Sequence, residues 1–369
     1  MSFLIVNRQQ GFVLAVVLWS MAALTLITGG IVARINNTLN QAYSMREFAQ
    51  LDQDMMATEQ TLLYMLSARP HNPAGVDLAA GSVESDSAAN PFESGDADQQ
   101  YGPTLRMDGS WYSGVGQVGF ALQDAGASFS LLEPRRENWL RLMELLEVSP
   151  TEADRWYDQF MDYQDRDNLT RLNGAEEEDY RERGMVPPSN RFPVTPFEIL
   201  NVPIAREHPD IADRIIRSST IGTGTSSNLN TSPPLMLELV HYLSRSEAQM
   251  VTSERGNNVL SSLSQASAEF GVLFQGGEFE SLWQPSGNIR IMLGDRQGRH
   301  KRWIEVKFTA TANGAPWVIE YSHPVSINQR KQEPAKTDAF GLPTTPETAP
   351  RANDWPYYSA FFPEQLPLD

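Results

Sequence analysis

The sequence predicts an α+β fold: a long N-terminal helix packs on an antiparallel sheet, and a large all-helical region separates early strands from late strands. Three observations predict it. First, a long apolar run is followed by a stripe of apolar residues at heptad spacing. Second, apolar and polar residues alternate, as in strands, near residue 120 and again after residue 288. Third, the region between these predicted strands has the hydrophobic periodicity of helices. At 369 residues the chain is long enough for two or three lobes.

The N-terminus combines a short leader with a membrane-length segment. Arg8 and Gly11 precede residues 12–33, which contain no charged side chain. As a helix these residues span roughly 33 Å, enough to cross a bilayer. A secretory signal has its small-residue cleavage site after the apolar core, whereas Gly11 lies before it. This order resembles the leader of pilin-like proteins, which a prepilin peptidase cuts, and it predicts a mature chain that begins at Phe12.

One position departs from the usual pilin-like pattern. The fifth mature residue is commonly Glu, which is costly to bury in lipid and pairs with the N-terminus of a neighbouring subunit; here it is Val16. The K-type minor pseudopilin of type II secretion usually lacks this Glu. The alternative is a plain signal-anchor helix with a coincidental glycine, and the N-terminus alone does not favour either interpretation.

The helix is expected to continue beyond the membrane. No Pro or Gly occurs in residues 35–67, and apolar residues recur there every seven positions, at Ile35, Ala42, Ala49, Met56 and Leu63. Pro70 ends the pattern. The stripe fits either a helix packed on a globular body or a coiled-coil stalk.

The pattern of the body then changes twice. Residues 68–110 are acidic and rich in small residues, which predicts a flexible loop. Alternation in residues 115–123 predicts a strand, and the turn at 124–127 predicts a hairpin with residues 128–132. Strands are predicted again at 289–293, 303–308 and 317–321, with a turn at 295–298, forming a sheet covered on one face by the N-terminal helix.

The helical region between the strands contains a faint internal repeat. Residues near 145–153 match residues near 240–248 at a constant offset, and both contain a Ser followed three positions later by Glu, at Ser149 and Ser244. This pattern is a helix-capping box, so each unit is predicted to be a helical hairpin. Such hairpins bind nucleic acid only with basic side chains, and the net charge of −17 argues against that use.

An acidic stretch lies between the two hairpins, at residues 158–180. Crowded carboxylates suit calcium, and Asp165, Asp167 and Glu176 fall at the first, third and twelfth positions of a helix-loop-helix calcium motif. Leu169 and Thr170 break that motif. An irregular calcium site and a solvated acidic loop both remain open on composition, which favours the loop.

Several short segments together are similar to the K-type minor pseudopilin family (general secretion pathway protein K). The family shows runs of the form D-W-x-D-x-D, G-A-E-x-x-Y, E-L-x-x-V-x-G and N-x-N-T-A-P in this order. Here the corresponding segments are Asp162 to Asp167, Gly174 to Tyr180, Glu198 to Pro203 and Asn228 to Pro233, and Arg255 stands where the family has a closing Arg. Tyr163, Ile204 and Ser232 depart from the pattern.

The resemblance covers roughly residues 1–330 and implies both a fold and a ligand. It implies that the helical region is an insertion in a pilin-like sheet. Because the family binds calcium through acidic residues in this domain, it also implies a calcium site, with Asp165, Asp167, Glu176 and Glu177 as candidate ligands.

Other functional classes find little support. The chain has no cysteine, which excludes disulfides and thiolate metal sites, and its five histidines form no catalytic motif. An enzyme is therefore not expected, and a metal-dependent periplasmic hydrolase is a weak alternative. No nucleic-acid partner is expected.

We therefore expect a bacterial inner-membrane protein with one span, a cytoplasmic N-terminus and a periplasmic body. The predicted segments are a leader (1–11), a long helix (12–67, membrane part about 12–33), an acidic loop (68–110), first strands (111–134), the helical insertion (135–275), last strands (276–328) and a flexible tail (329–369).

The expected function is a minor pseudopilin at the tip of a type II secretion pseudopilus. Its expected partners are other minor pseudopilins and the prepilin peptidase, with the secretin and exported substrates as further candidates. The alternative is an anchored periplasmic module that recruits a soluble partner.

Overall fold

The protein is described from a computed structural model, which defines residues 10–78, 104–132, 134–222, 226–255, 259–275, 283–295, 301–309 and 314–325. Residues 1–9 of the predicted leader, the centre of the predicted acidic loop, residues 296–298 of the predicted turn and the predicted tail lie outside these ranges. The chain divides into two units, residues 1–54 and 55–369.

The first unit consists of most of one long helix, α1 (Gln10–Ala68). Its N-terminal part is long and apolar enough to cross a membrane, and the side chains there are exposed, Val16 at 51% and Trp19 at 77% among them. The long N-terminal helix predicted from the sequence is confirmed.

The last turns of α1 belong to the second unit and are largely buried there. Met55, Leu62, Leu63 and Leu66 are at most 5% exposed. Thr58 accepts a hydrogen bond from the backbone of Val115 at 3.0 Å. Of the predicted stripe, Leu63 packs here, but Met56 is 53% exposed. The packing face is therefore displaced from the predicted stripe and includes Met55, Leu62 and Leu66 instead.

The strands and helices of the second unit follow α1 in chain order. The first group contains β1 (His71–Asn72), β2 (Gly75–Asp77), β3 (Thr104–Arg106), β4 (Asp108–Ser113), β5 (Val118–Asp124) and β6 (Phe129–Ser130). Then come α2 (Arg136–Leu145), α3 (Pro150–Gln164), α4 (Glu177–Glu182), α5 (Pro203–Glu207), α6 (Pro209–Ser218) and β7 (Ser219–Thr220). The last group contains α7 (Pro234–His241), α8 (Arg245–Glu254), α9 (Leu263–Phe270), β8 (Asn288–Asp295), β9 (Lys301–Phe308) and β10 (Trp317–Pro324).

The main sheet is antiparallel, with the strand order β10-β9-β8-β5-β4. Strand β8 pairs with β5 although nearly all the helices lie between them in sequence. The helical region is therefore an insertion between adjacent strands, and the predicted α+β fold is confirmed. The three late strands predicted from alternation are present, each somewhat longer than predicted.

Two predictions about the early segment are wrong. The two ends of the predicted acidic loop form β1 to β4, with β1, β2 and β3 in a small sheet of their own. The predicted hairpin of 115–123 with 128–132 does not form, because both edges of β5 are occupied by β4 and β8. Residues 125–127 form a 3₁₀ turn capped by Asp124, and β6 pairs in parallel with β7 instead.

The expectation of a one-sided sheet is also wrong. One face carries Ile289, Ile291 and Ile304, all fully buried. On the other face Arg290 and Glu305 are buried as well, and Trp303 belongs to the core of the helical insertion. Arg290 and Glu305 therefore face a second packed layer rather than water, whereas Lys307, further along β9, is exposed.

Both predicted helical hairpins are present in the insertion. Helices α2 and α3 form the first, and the Ser149 side chain caps α3. Helices α7 and α8 form the second, where Ser244 and Glu247 make the full capping box. Each cap satisfies backbone N–H groups at a helix start, which is why the sequence repeat predicted these helices.

Candidate functional site

The predicted acidic region is organised around one buried carboxylate at the end of α3. Asp162 is fully buried. Its Oδ2 atom accepts hydrogen bonds from the backbone N–H groups of Arg171 at 3.1 Å and Ala175 at 3.0 Å. Its Oδ1 atom accepts one from the Arg171 guanidinium at 3.0 Å. The loop after α3 is thus folded back over Asp162, and α4 begins just beyond it.

Gly174 allows this close fold. A Cβ atom at this position would lie 1.8 Å from Asp162 Oδ2 and 3.0 Å from the backbone nitrogen of Arg171. A second carboxylate, Asp158, accepts hydrogen bonds from the backbone and side chain of Asn173 at 3.2 and 2.9 Å. The two turns of α3 that carry Asp158 and Asp162 therefore hold the loop at residues 171–175.

Arg171 supplies the positive charge nearest to the cluster. Its Nη1 atom lies 3.0 Å from Asp162 Oδ1 and 2.8 Å from Asp165 Oδ2. It thereby bridges two carboxylates, while Asp165 Oδ1 is buried and has no hydrogen-bond partner.

Glu176 is the least satisfied group of the site. It is 5% exposed, and backbone N–H groups at the start of α4, those of Glu177 and Asp179, approach its carboxylate. Neither oxygen, however, has a donor in good hydrogen-bond geometry. Burial and the negative charges of Asp162, Asp165 and Asp167 raise its pKa to about 7. Since an unpaired buried carboxylate is costly, the arrangement favours either a proton or a bound cation at Glu176.

The four predicted ligands therefore lie in different surroundings. Asp165 and Glu176 each have buried carboxylate oxygens without a donor. Asp167 is exposed, and its side chain accepts a hydrogen bond from the backbone of Leu169 at 2.9 Å. Glu177 is half exposed and pairs with Arg181 at 2.7 Å along α4.

Sequence reasoning did not select Asp162 as a site residue, although it lies at the centre of the cluster. A signal was present in the sequence, because Asp162 lies within the acidic run and a glycine, Gly174, follows it 12 positions later. What the sequence did not contain was the backbone path that aims two N–H groups at this carboxylate.

The donor set suits a hard cation such as calcium, but its present geometry is not a finished site. Calcium takes six to eight oxygen ligands, and the buried oxygens of Asp165 and Glu176 lack other partners. Within the described part of the chain, no three Asp, Glu or His side chains converge on a common metal position. The residues fit calcium by chemistry and burial, and binding requires their side chains to move toward one another.

Exposed apolar side chains surround the acidic cluster. Leu172 is 95% exposed, Val186 83%, Leu169 76%, Val194 59% and Phe192 49%. The two segments that carry them meet where the Asn190 amide donates to the Asn168 side chain at 2.9 Å. Large exposed apolar groups concentrated on two adjoining segments are typical of an interaction surface.

Comparison with known proteins agrees with the resemblance predicted from the sequence. Residues 121–203 match a family model described as "Type II secretion system (T2SS), protein K", and these residues contain the whole acidic cluster. The predicted recognition is thereby confirmed over this segment. No curated protein matches the chain.

A solved structure is also similar to the chain. It is the crystal structure of the GspK-GspI-GspJ complex from the type 2 secretion system of enterotoxigenic Escherichia coli. The matching chain of that complex is 13% identical, with a TM-score of 0.45, and the match covers 80% of this chain and 100% of that one.

Proposed function

We propose that this chain, whose residues 121–203 match the family model of type II secretion system protein K, is a minor pseudopilin that occupies the tip of a secretion pseudopilus. There it starts or caps assembly with other minor pseudopilins for protein export across the outer membrane. The observation that carries the proposal is the combination of α1, a single apolar N-terminal helix, with a large helical insertion between adjacent sheet strands.

The insertion supports a terminal position. Helices α2 to α9 add a bulky layer to the sheet, and such a layer is difficult to accommodate inside a closely packed filament of helices. Val16 is consistent with this position. The glutamate that pilin-like proteins commonly have there pairs with the N-terminus of a neighbouring subunit, and the first subunit of a filament has no neighbour above it. The proposed role is structural and requires no catalysis.

The proposed topology follows from the leader. Gln10 begins α1, so the predicted cleavage bond between Gly11 and Phe12 lies at the start of the helix. Residues 1–11 would remain in the cytoplasm, where the prepilin peptidase removes them, and the body would lie in the periplasm.

Processing gives the first prediction and tests the proposed function. Mass spectrometry of the protein extracted from membranes is expected to show a chain that begins at Phe12 and is N-methylated. A Gly11→Leu variant is expected to keep residues 1–11, whereas Gly29→Ala, which places a methyl group in open space on the same helix, should be processed normally.

A mature chain that begins at Met1 or Ser2 would contradict the pseudopilin proposal and favour the anchored periplasmic module. Failure to co-purify with any other pilin-like subunit would contradict the tip role even if the leader is removed.

The exposed apolar side chains near the acidic cluster are the surface that we expect to contact the secretin. The cluster contributes negative charge beside them, so the complementary partner surface is apolar and basic. The serine substitutions Leu169→Ser and Leu172→Ser are each expected to weaken this contact about tenfold, the effect of losing a little over 1 kcal/mol of apolar burial.

The measurement is the secreted fraction of an exported enzyme, with the abundance and melting temperature of the variant as controls. Leu273→Ser removes an equally exposed leucine (78%) from a different segment and should leave secretion unchanged. Equal effects of all three substitutions would argue against a specific surface at residues 169–194. A loss confined to one exported protein would indicate contact with substrate instead of the secretin.

Calcium is the proposed ligand of the acidic cluster. Asp165 and Glu176 would supply buried oxygens, with Asp167 as a further candidate from the exposed side of the loop. When bound, the ion would neutralise carboxylates that now repel one another, and it would thereby stabilise the loop between α3 and α4.

Glu176→Gln is expected to have opposite effects on stability and on calcium binding. Without metal above pH 7, the variant should be more stable than the parent, because it removes a buried charge that has no donor. Since the pKa of Glu176 is raised to about 7, this advantage should be absent below pH 4.5, grow as the pH rises, and level off above pH 7.

Thermal unfolding with a chelator or with millimolar calcium checks both effects. Calcium should raise the melting temperature of the parent much more than that of the variant. Glu177→Gln is the matched control, because Glu177 is half exposed and already paired with Arg181. If Glu177→Gln loses the response to calcium and Glu176→Gln keeps it, the proposed ligand set is wrong.

A further inference from the structure

Arg171 occupies a particular position in the proposed calcium site. Its guanidinium donates to Asp162 Oδ1 and Asp165 Oδ2, and its own backbone nitrogen donates to Asp162 Oδ2. Burial alone would lower the pKa of Arg171, but Asp165 and Asp162 raise it overall. The side chain therefore acts as a fixed positive charge between two carboxylates.

Its neutralisation of the cluster is incomplete. Asp165 shares only one oxygen with Arg171, and its other oxygen has no donor. Glu176 has no donor in good hydrogen-bond geometry at either oxygen. A cation bound to these free oxygens would therefore contact Asp165, which already pairs with Arg171. A calcium ion at that position would lie close to the guanidinium, and the two positive charges would repel each other.

The side chain is able to leave without opening the core. It is 36% exposed, whereas Asp162 is buried and also accepts two backbone hydrogen bonds in which the guanidinium takes no part. Release of Arg171 would free both oxygens of Asp165 and would leave the fold of the loop in place.

We propose that Arg171 is a built-in competitor for calcium: its guanidinium neutralises Asp162 and Asp165 in the metal-free protein and must release Asp165 when the ion binds. This inference rests on the proposed calcium site. In this arrangement Arg171 sets the affinity of the site and keeps the acidic loop folded before calcium is available.

The test compares Arg171→Met with Arg166→Met in the full-length protein in detergent. Both substitutions remove one positive charge from the same loop, but Arg166 is exposed and lies outside the buried cluster. Calcium affinity is measured by calorimetric titration at fixed salt after chelation, and melting temperature is measured with and without calcium.

The expected result is calcium binding at least tenfold tighter in Arg171→Met than in Arg166→Met. Without calcium, Arg171→Met should melt at a lower temperature than Arg166→Met, and saturating calcium should close this gap. If Arg171→Met does not fold without metal, Arg171→Lys provides the second variant. Lysine retains the charge but lacks the planar fork that bridges two carboxylates, so calcium should bind it more tightly than the parent.

Three outcomes would overturn the proposal. Calcium affinity in Arg171→Met equal to or weaker than in Arg166→Met would show that Arg171 positions the ligands instead of competing for them. Equal metal-free melting temperatures would show that it is not the counter-charge of the cluster. Absence of calcium binding in the parent and in every variant would refute the calcium site itself, and the role of Arg171 with it.

Discussion

Replacing Gly174 with alanine is expected to destabilise the helical insertion severely, by roughly 3 kcal/mol or more. The new methyl group would lie 1.8 Å from Asp162 Oδ2, far inside van der Waals contact. Asp162 cannot move aside cheaply, because it is fully buried and accepts hydrogen bonds from Arg171 and Ala175. The variant must either strain the loop or break bonds to a buried carboxylate, and both are costly.

Chemical denaturation of the full-length protein measures this loss, and calorimetry shows whether calcium binding is lost with it. Gly222→Ala is the matched control, since its methyl group would meet the nearest atoms at 3.5 Å, an ordinary contact distance. Wild-type stability in Gly174→Ala would mean that the loop does not close over Asp162 as described.

The sequence predicted the elements of the site better than their geometry. The caps at Ser149 and Ser244 are local signals, and they placed two helical hairpins correctly. The acidic run likewise placed a cluster of carboxylates after α3. Which carboxylates are buried depends on a backbone path between α3 and α4, and no periodicity encodes that path.

Glu176 and Glu177 show that the sequence alone does not predict which carboxylates are buried. They are chemically identical neighbours, yet Glu176 is 5% exposed without a donor and Glu177 is half exposed in an ion pair with Arg181. Their difference arises because α4 begins between them. Helix boundaries are the least certain part of a prediction from sequence, so the sequence does not predict that Glu176 is buried and Glu177 exposed.

The sheet was mispredicted for a related reason. Alternation along β9 predicts one buried and one solvated face, since charged residues are usually exposed. Glu305 is instead fully buried because the helical insertion covers that face and Arg290 pairs with it at 3.0 Å. Pairing across distant strands is tertiary information, whereas the period of a strand is local.

Because of this buried pair, we expect the substitution Glu305→Gln to cause the second large loss of folding stability. The glutamate accepts hydrogen bonds from Thr220 at one oxygen and from Arg290 and Tyr321 at the other. Arg290 in turn donates to the backbone oxygen of Ser219, which begins β7 directly after α6. Neutralising Glu305 leaves the guanidinium of Arg290 buried without its counter-charge, which is expected to cost about 3–5 kcal/mol.

The loss should be concentrated where the insertion meets the sheet. Phe197 packs against Trp303 and stacks on His323, and the guanidinium of Arg290 lies over the Trp303 ring, so the polar pair and the aromatic contacts belong to one layer. Hydrogen exchange in Glu305→Gln should therefore accelerate in β7 and in the adjoining end of α6. Exchange in α8, which belongs to the other hydrophobic core of the insertion, should change little.

Two further variants separate the buried pair from a general effect of charge. Glu320→Gln removes a carboxylate from an exposed position of the edge strand β10. Because desolvation and the charge of Glu305 raise the pKa of Glu320, this substitution should not destabilise the protein. The double variant Arg290→Met/Glu305→Leu removes both charges together and should recover most of the stability that Glu305→Gln loses, since no unpaired charge remains buried. If the double variant is as unstable as Glu305→Gln, the polar contacts to Thr220 and Ser219, rather than the ion pair, attach the insertion to the sheet.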